Sequence, residues 1–189
     1  MTEPTRRRRD PVARKQAIVD AAAEIVAEQG PAGLSHRSVA TRAQVPLGST
    51  TQYFDSLQDM RAAALERMAQ DLEADLASLA VAIADTGDIA AAIATWLHAY
   101  LTDEAALRSD VVLSSAVVLD PTLRHLARQW TADVTAMLSP HIGAAAALAV
   151  SMYADGATWH AALHDTPLGV DELTDAIRAL LTLSGGEPS

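Results

Sequence analysis

Apolar residues recur at three- and four-residue intervals along nearly all of this 189-residue chain. No alternation of apolar and polar residues runs longer than a few positions. A period near 3.6 buries one stripe of a helix, whereas a half-buried strand needs a period of 2. The chain is therefore read as all-α. Aromatics make up only 4% of it, and the apolar half is mostly Ala, Leu and Val, a composition that suits close-packed helices better than sheets.

The punctuation predicts nine helices. The first spans Pro11 to Gln29, with Pro11 in its first turn and Gly30-Pro31 at its end. Ala32-Gly33-Leu34 is a loop, and Ser35 caps a short helix through Ala43. After a tight turn at Gln44-Val45-Pro46, a second short helix runs from Leu47 to Phe54. Ser56 with Asp59 resembles a capping box. It opens a long helix with Leu65, Met68, Leu72, Leu76, Leu79 and Ile83 on one stripe, ended by Thr86-Gly87. The fifth helix carries Ile89, Ile93, Trp96, Leu97, Tyr100 and Leu101. The run from Val111 to Leu119 is nearly all apolar, which predicts a helix buried on most sides. Leu123 to Met137 marks a seventh helix that stops at Ser139-Pro140, Ile142 to Leu163 an eighth, and Val170 to Leu183 a ninth.

Charge divides unevenly along the chain. Residues 1–55 carry eight Arg/Lys against six Asp/Glu, and residues 56–189 carry six against eighteen, giving −10 in all. An acidic chain repels polyanions, but here the repulsion comes from the C-terminal part and leaves the N-terminal part free to meet DNA. The absence of cysteine excludes disulfides, thiolate metal sites and thiol redox chemistry, and it favours a reducing, cytoplasmic location. The long uncharged stretch from Val134 to Ala154 is broken by Ser139-Pro140-His141, so no membrane span is expected. Arg6 to Arg9 leads into Asp10-Pro11 and not into an apolar segment, so no signal peptide is expected. There is no nucleophile elbow and no phosphate-cradling glycine loop. His160 and His164 stand four apart with Asp155 and Asp165 nearby. They lack a His-Glu-x-x-His pattern, and no metal or other cofactor is expected.

Two short helices joined by a tight turn, behind a longer helix, form the pattern of a helix-turn-helix. The second of them, Gly48-Ser49-Thr50-Thr51-Gln52-Tyr53, is uncharged and rich in hydroxyl and amide groups that can bond base edges and phosphates. Gly48 lets backbone approach closely. The competing reading is an ordinary polar surface helix. Val45, Phe54 and Ala40 would hold the turn in a small core.

The stretch Ile18-Val19-Asp20-Ala21-Ala22 … Gly30 … Leu34-Ser35-His36-Arg37-Ser38-Val39-Ala40 … Val45-Pro46-Leu47-Gly48-Ser49-Thr50-Thr51-Gln52-Tyr53-Phe54-Asp55-Ser56 resembles the N-terminal signature of the TetR family of transcriptional repressors, over roughly residues 14–68. The resemblance implies a three-helix DNA-binding domain over residues 1–55. Residues 56–189 would then be a six-helix domain that binds a small effector and dimerises. It further implies that Arg37 reaches phosphate or a base edge, that Ser35 and His36 bind phosphate, that Tyr53 meets the DNA backbone, and that Leu47, Ser49, Thr51 and Gln52 face the groove. Three positions depart from the pattern. Gln44 replaces the turn glycine, where a left-handed backbone costs about 1 kcal/mol. Thr51 replaces a Tyr, and Leu57 replaces a phosphate-binding Lys. Arg6, Arg7, Arg8 and Arg9 are read as a compensating DNA-binding arm, or else as a solvated charge run.

In the C-terminal part, Trp96, Tyr100, Ser115, Trp130, Met137, Tyr153, Asp155 and Trp159 interrupt small aliphatic faces. Alanine-rich neighbours leave room for a cavity among them, though ordinary core packing also accounts for each ring. Such walls select an apolar, amphipathic or cationic effector. Ala149, Met152, Gly156 and Leu163 on the eighth helix, with Leu173, Ile177, Leu180 and Leu181 on the ninth, suit a four-helix bundle across a two-fold axis, the arrangement the family implies, though each stripe equally suits an internal core face. The expected protein is a homodimeric, ligand-responsive repressor of a palindromic double-stranded operator, and not an enzyme. The alternative is a helical binding protein or enzyme with a vestigial helix-turn-helix.

Overall fold

The computed structural model describes residues 10–84, 86–164 and 166–182. Among them are nine α-helices and no strand: α1 (Pro11–Gln29), α2 (His36–Arg42), α3 (Leu47–Tyr53), α4 (Leu57–Ala84), α5 (Ile89–Thr102), α6 (Glu104–Leu119), α7 (Arg124–Ile142), α8 (Ala144–Leu163) and α9 (Val170–Leu181). Short 3-10 turns at Pro31–Gly33 and Pro121–Leu123 precede α2 and α7. The chain divides into two compact units between Arg67 and Met68, so the first turns of α4, with buried Met60, Ala64 and Leu65, belong to the N-terminal unit.

Local chemistry sets the helix ends. Asp10 caps α1 by accepting from the Val12 amide at 2.9 Å, while Gly30, at φ 72°, supplies the backbone that stops it. Ser35 caps α2 in a reciprocal arrangement with Ser38. At the start of α4 the Asp59 amide donates to Ser56 Oγ at 3.1 Å, and that hydroxyl donates to the Asp59 carboxylate at 2.7 Å. The N-terminal unit buries Ile18, Ala22, Ile25 and Val26 of α1 together with Leu34, Val39, Ala40 and Phe54. Across α1 and α2, Arg42 pairs with Glu24 at 3.0 Å and with Glu28 at 2.7 Å.

The core of the C-terminal unit is built from α4 (Leu76, Leu79, Ile83), α5 (Ile93, Leu97, Leu101), α7 (Val134, Leu138, Ile142), α8 (Ala146, Val150, Ala157) and α9 (Leu173, Ile177). Alanines on α5 and α8 bring backbones close, which is how a chain so poor in aromatics fills its interior.

Two helices depart from the sequence expectation. The seventh helix does not stop at Ser139-Pro140 but continues to Ile142. A proline removes one hydrogen bond this close to a helix end. Leu138 and Ile142 are both buried and hold the last turn in the core, and Gly143 at φ 80° then closes it. Ile142 accordingly belongs to α7, and α8 begins at Ala144. The apolar run of α6 is not buried on most sides. Only Leu113 and Val117 turn inward, while Val118 and Leu119 are 72% and 83% exposed in the single chain.

Candidate functional site

Helix α3 divides its residues by helical spacing. Leu47, Gly48, Thr51 and Gln52 fall on one exposed face, whereas Ser49 and Thr50 are buried and Tyr53 is half-buried. Ser49 is therefore a correction to the sequence reading. It lies on the inner face of α3, one position round from the outward residues, and does not look into a groove. The inner residue that matters most, Thr50, carries no sequence signal of its own. Thr50 Oγ1 is fully buried, donates to the Leu47 carbonyl at 2.8 Å and stands 3.1 Å from His36 Nδ1. With its one hydroxyl proton on that carbonyl, Thr50 accepts from the imidazole, which fixes the tautomer with hydrogen on Nδ1. His36, half-buried, thus ties the start of α2 to α3.

Ser35 is exposed, but its hydroxyl is engaged as the α2 cap with Ser38. Arg37 is exposed. Among the described residues its guanidinium makes no hydrogen bond or ion pair, in contrast to Arg42, whose partners are Glu24 and Glu28. Lys15 Nζ lies 5.8 Å from the centre of the Phe54 ring, a cation–π distance. Gln44 adopts φ 53° in the turn between α2 and α3, the left-handed backbone anticipated for the position of the missing glycine. Arg6, Arg7, Arg8 and Arg9 lie outside the described residues. Leu57 opens α4 with its side chain partly exposed.

The C-terminal unit holds two adjoining cavities. The larger, about 260 Å³, is walled by α4, α6, α7 and α8, including Leu72, Asp110, Leu113, Ser114, Val118, Trp130, Asp155, Thr158 and Trp159. The smaller, about 50 Å³, is walled by Leu97, Trp96, Tyr100, Leu138 and Ser151, among others. Asp110, Trp130, Asp155 and Thr158 belong to both. Of the effector residues read from sequence, Trp96, Tyr100, Trp130, Asp155 and Trp159 line this space, and Ser115, Met137 and Tyr153 do not. Met137 and Tyr153 pack against the hydrophobic core. Ser115 sits one helical position away from Ser114, which does face the cavity.

Asp110, which the sequence reading missed, is the electrostatic centre. It accepts from the Tyr100 hydroxyl at 3.1 Å and from Ser114 Oγ at 3.0 Å. Burial pushes its carboxyl above the ordinary range, and those two hydrogen bonds oppose the push. Burial, and then the Asp110 charge, raise the Tyr100 phenol well above its usual value. Asp155 keeps part of its surface exposed at the cavity edge. Burial of its carboxyl, reinforced by the charge of Asp110, lifts it to about 6. Trp96 stacks on Tyr100 with ring centres 5.7 Å apart and 10° between planes, and its indole N–H donates to Ser78 Oγ at 2.9 Å. Among the described residues, no Arg, Lys or His lines either cavity. Three acids, Glu73, Asp110 and Asp155, thus line a space with aromatic walls and no basic side chain among its lining residues.

His160 and His164 stack with ring centres 4.0 Å apart, and His164 Nδ1 lies 2.8 Å from the His160 carbonyl. Among the described residues no three His, Asp or Glu side chains gather where they could hold a metal, and no helix is long and apolar enough to cross a membrane. Of the residues read as dimer-forming, Met152 and Leu163 are 65% and 74% exposed, and Gly156 is exposed beside them. Ala149 is half-buried at the edge of that face. Leu173 and Ile177 are fully buried within their own unit, which corrects their assignment to a bundle with a partner. Leu180 and Leu181 are partly buried against the same core. The strongly amphipathic α9 spends its apolar face internally and turns Asp171, Glu172, Asp175 and Arg178 to solvent.

A three-helix unit with an exposed polar reading face, followed by a six-helix unit enclosing a cavity, defines the class of helical, ligand-binding transcription regulators. Solved structures agree with that class. SCO7518 from Streptomyces coelicolor A3(2) superposes with a TM-score of 0.79 at 27% identity, over 89% of this chain and 98% of that one. A member of the TetR family from Streptomyces coelicolor A3, SCO1917, gives 0.76 at 34% identity, over 88% and 97%. The multidrug binding protein EbrR, complexed with imidazole, gives 0.78 at 32% identity, over 93% and 97%. EbrR has also been solved with malachite green, proflavin and ethidium. No protein-family model matches the chain, and no curated protein matches it. The chain belongs to the TetR family of transcriptional regulators.

Proposed function

We propose that this protein is a homodimeric repressor that binds a palindromic operator through α2 and α3 and releases it when an aromatic cation enters the cavity of the C-terminal unit. The observation that carries the effector class is the placement of Asp110 and Asp155 among Trp96, Tyr100, Trp130 and Trp159 with no basic side chain beside them. The net charge of residues 56–189 adds a field that draws cations and repels anionic metabolites. That EbrR is solved with malachite green, proflavin and ethidium, all aromatic cations, supports the same class.

On this reading Arg37, Leu47, Gly48, Thr51, Gln52 and Tyr53 contact DNA, with Arg6 to Arg9 adding phosphate contacts. His36 and Thr50 act beneath them by fixing the tilt of α3. Helix α4, whose Leu72 and Leu76 line the cavities, carries the ligand's effect along the chain. A ligand that prefers one spacing of the two reading heads shifts the population towards it. Deleting residues 1–9 is expected to lower the steepness of salt dependence, by about 0.9 in the slope of log K against log salt for each phosphate that the arm neutralises. The function is tested by selecting bound sequences from a random DNA pool and then adding tetraphenylphosphonium, a permanent aromatic cation that does not intercalate. Enrichment of a palindrome and its release by the cation support the reading. An unselective pool favours the alternative of a binding protein whose helix-turn-helix is vestigial.

A further inference from the structure

The three carboxylates of the C-terminal unit's cavities are not equivalent. Asp110 is already answered inside the chain, since it accepts from the Tyr100 hydroxyl at 3.1 Å and from Ser114 Oγ at 3.0 Å. Glu73 and Asp155 have no such donors, and among the described residues neither makes a hydrogen bond or an ion pair. They come from different walls. Ala69, Leu72, Glu73 and Leu76 recur at helical spacing, so one face of α4 lines the space, and Glu73 is the charged residue on that face. Asp155 comes from α8. Glu73 lines the larger cavity alone, whereas Asp155 lines both, so the two acids mark different parts of the space. Both keep part of their surface exposed, which lets them stay ionised while the cavity is empty. A ligand that fills the cavity strips water from both, and a carboxylate losing water needs a partner of opposite charge. No basic side chain lines the cavities to supply one. A single cation answers one acid and leaves the other facing apolar and aromatic walls.

We propose that the effector carries two separated positive charges, one held by Asp155 and the other by Glu73, with its aromatic part against Trp130 and Trp159. The inference rests on the effector reading above and narrows it from an aromatic cation to an aromatic dication. Glu73 is then the residue that tells a dication from a monocation. A monocation binds through Asp155 and the aromatic walls and gains little from Glu73, whereas the second charge of a dication is met by Glu73 directly. The acidic unit as a whole also draws a dication more strongly than a monocation, and that long-range attraction does not depend on which wall an acid occupies.

Two dyes separate direct contact from the general field. Propidium keeps the phenanthridinium ring of ethidium and adds a quaternary ammonium on a propyl arm. Fluorescence titration of the full-length protein with each dye, without DNA and at pH 8, where the Asp155 carboxyl, lifted to about 6, is ionised, gives the ratio of the two affinities. Propidium is expected to bind about fivefold tighter, the scale of a partly exposed ion pair. Glu73→Gln should reduce that advantage to less than about twofold and leave ethidium affinity unchanged, because only the second charge loses its partner. Glu66→Gln removes the same charge from an exposed position of α4 that lines neither cavity, and it should keep the wild-type ratio. Equal affinities for the two dyes in the wild type, an advantage that survives Glu73→Gln, or one that Glu66→Gln abolishes equally overturns the inference while ethidium binding leaves the effector reading intact. A wild-type protein that binds neither dye overturns both. Glu73 is exposed and unpaired among the described residues, so Glu73→Gln should fold; should it not, the wild-type ratio compared with that of Glu66→Gln decides alone.

Discussion

His36 Nδ1 and Thr50 Oγ1 stand 3.1 Å apart and join the first turn of α2 to the middle of α3. The bond lies beneath the reading face, so it sets the angle at which Leu47, Thr51 and Gln52 are presented. Thr50→Val keeps the volume and removes the hydroxyl. It should leave the His36 Nδ1–H without its acceptor and cost about 1–2 kcal/mol of stability. Operator affinity should fall with it, although Thr50 itself reaches no DNA. Urea denaturation and anisotropy titration on the same variant check both effects.

Arg37 is exposed and unpaired among the described residues, so its removal disturbs no internal contact. Arg37→Ala should weaken operator binding by about 1–3 kcal/mol if it bonds a base edge or phosphate, with an unchanged unfolding midpoint. A gel-shift titration at wild-type affinity would remove it from the interface.

Gln44 holds φ 53° without being glycine. Gln44→Gly should relieve that strain and stabilise the protein by up to about 1 kcal/mol, raising the melting temperature by a few degrees. A lowered melting temperature would mean that the Gln44 side chain makes up the cost elsewhere.

The Asp155 carboxyl, lifted to about 6 by burial and by Asp110, predicts two opposite pH responses. In the empty protein the raised value favours the protonated form. Its stabilising contribution is present below about 4 and is lost as pH rises through about 6. A permanent cation prefers the ionised form, so ethidium affinity should rise severalfold between pH 5 and pH 8. Asp155→Asn should flatten that profile. A flat wild-type profile would place the cation's counter-charge elsewhere in the cavity.

The residues legible from sequence are those whose local chemistry is self-contained. Pro11, Gly30, Ser35 and the Ser56–Asp59 pair mark helix ends by their own hydrogen bonds and backbone preferences, and the boundaries of α1 follow directly. Pro140 misleads because tolerance of a proline near a helix end depends on whether the turn beyond it is buried, as Leu138 and Ile142 are. Asp110 gives no signal in the sequence because its partners, Tyr100 and Ser114, come from α5 and from its own helix α6, and its meaning appears only when the cavity forms around it. Leu173 and Ile177 show the same limit. An amphipathic stripe states that a face is buried but not against which neighbour. Ser49 and Ser115 are each misplaced by a single position, which on a helix is a rotation of about 100°.

The central claim is that one molecule couples operator binding to an aromatic cation. It is tested most directly by fluorescence anisotropy of a labelled palindrome, selected from a random pool, titrated with the full-length protein and then with tetraphenylphosphonium. The account predicts two protomers per palindrome, affinity that falls steeply with salt, and release of the DNA as the cation saturates. DNA that stays bound with unchanged affinity at saturating cation, while an anionic metabolite releases it, would contradict the account.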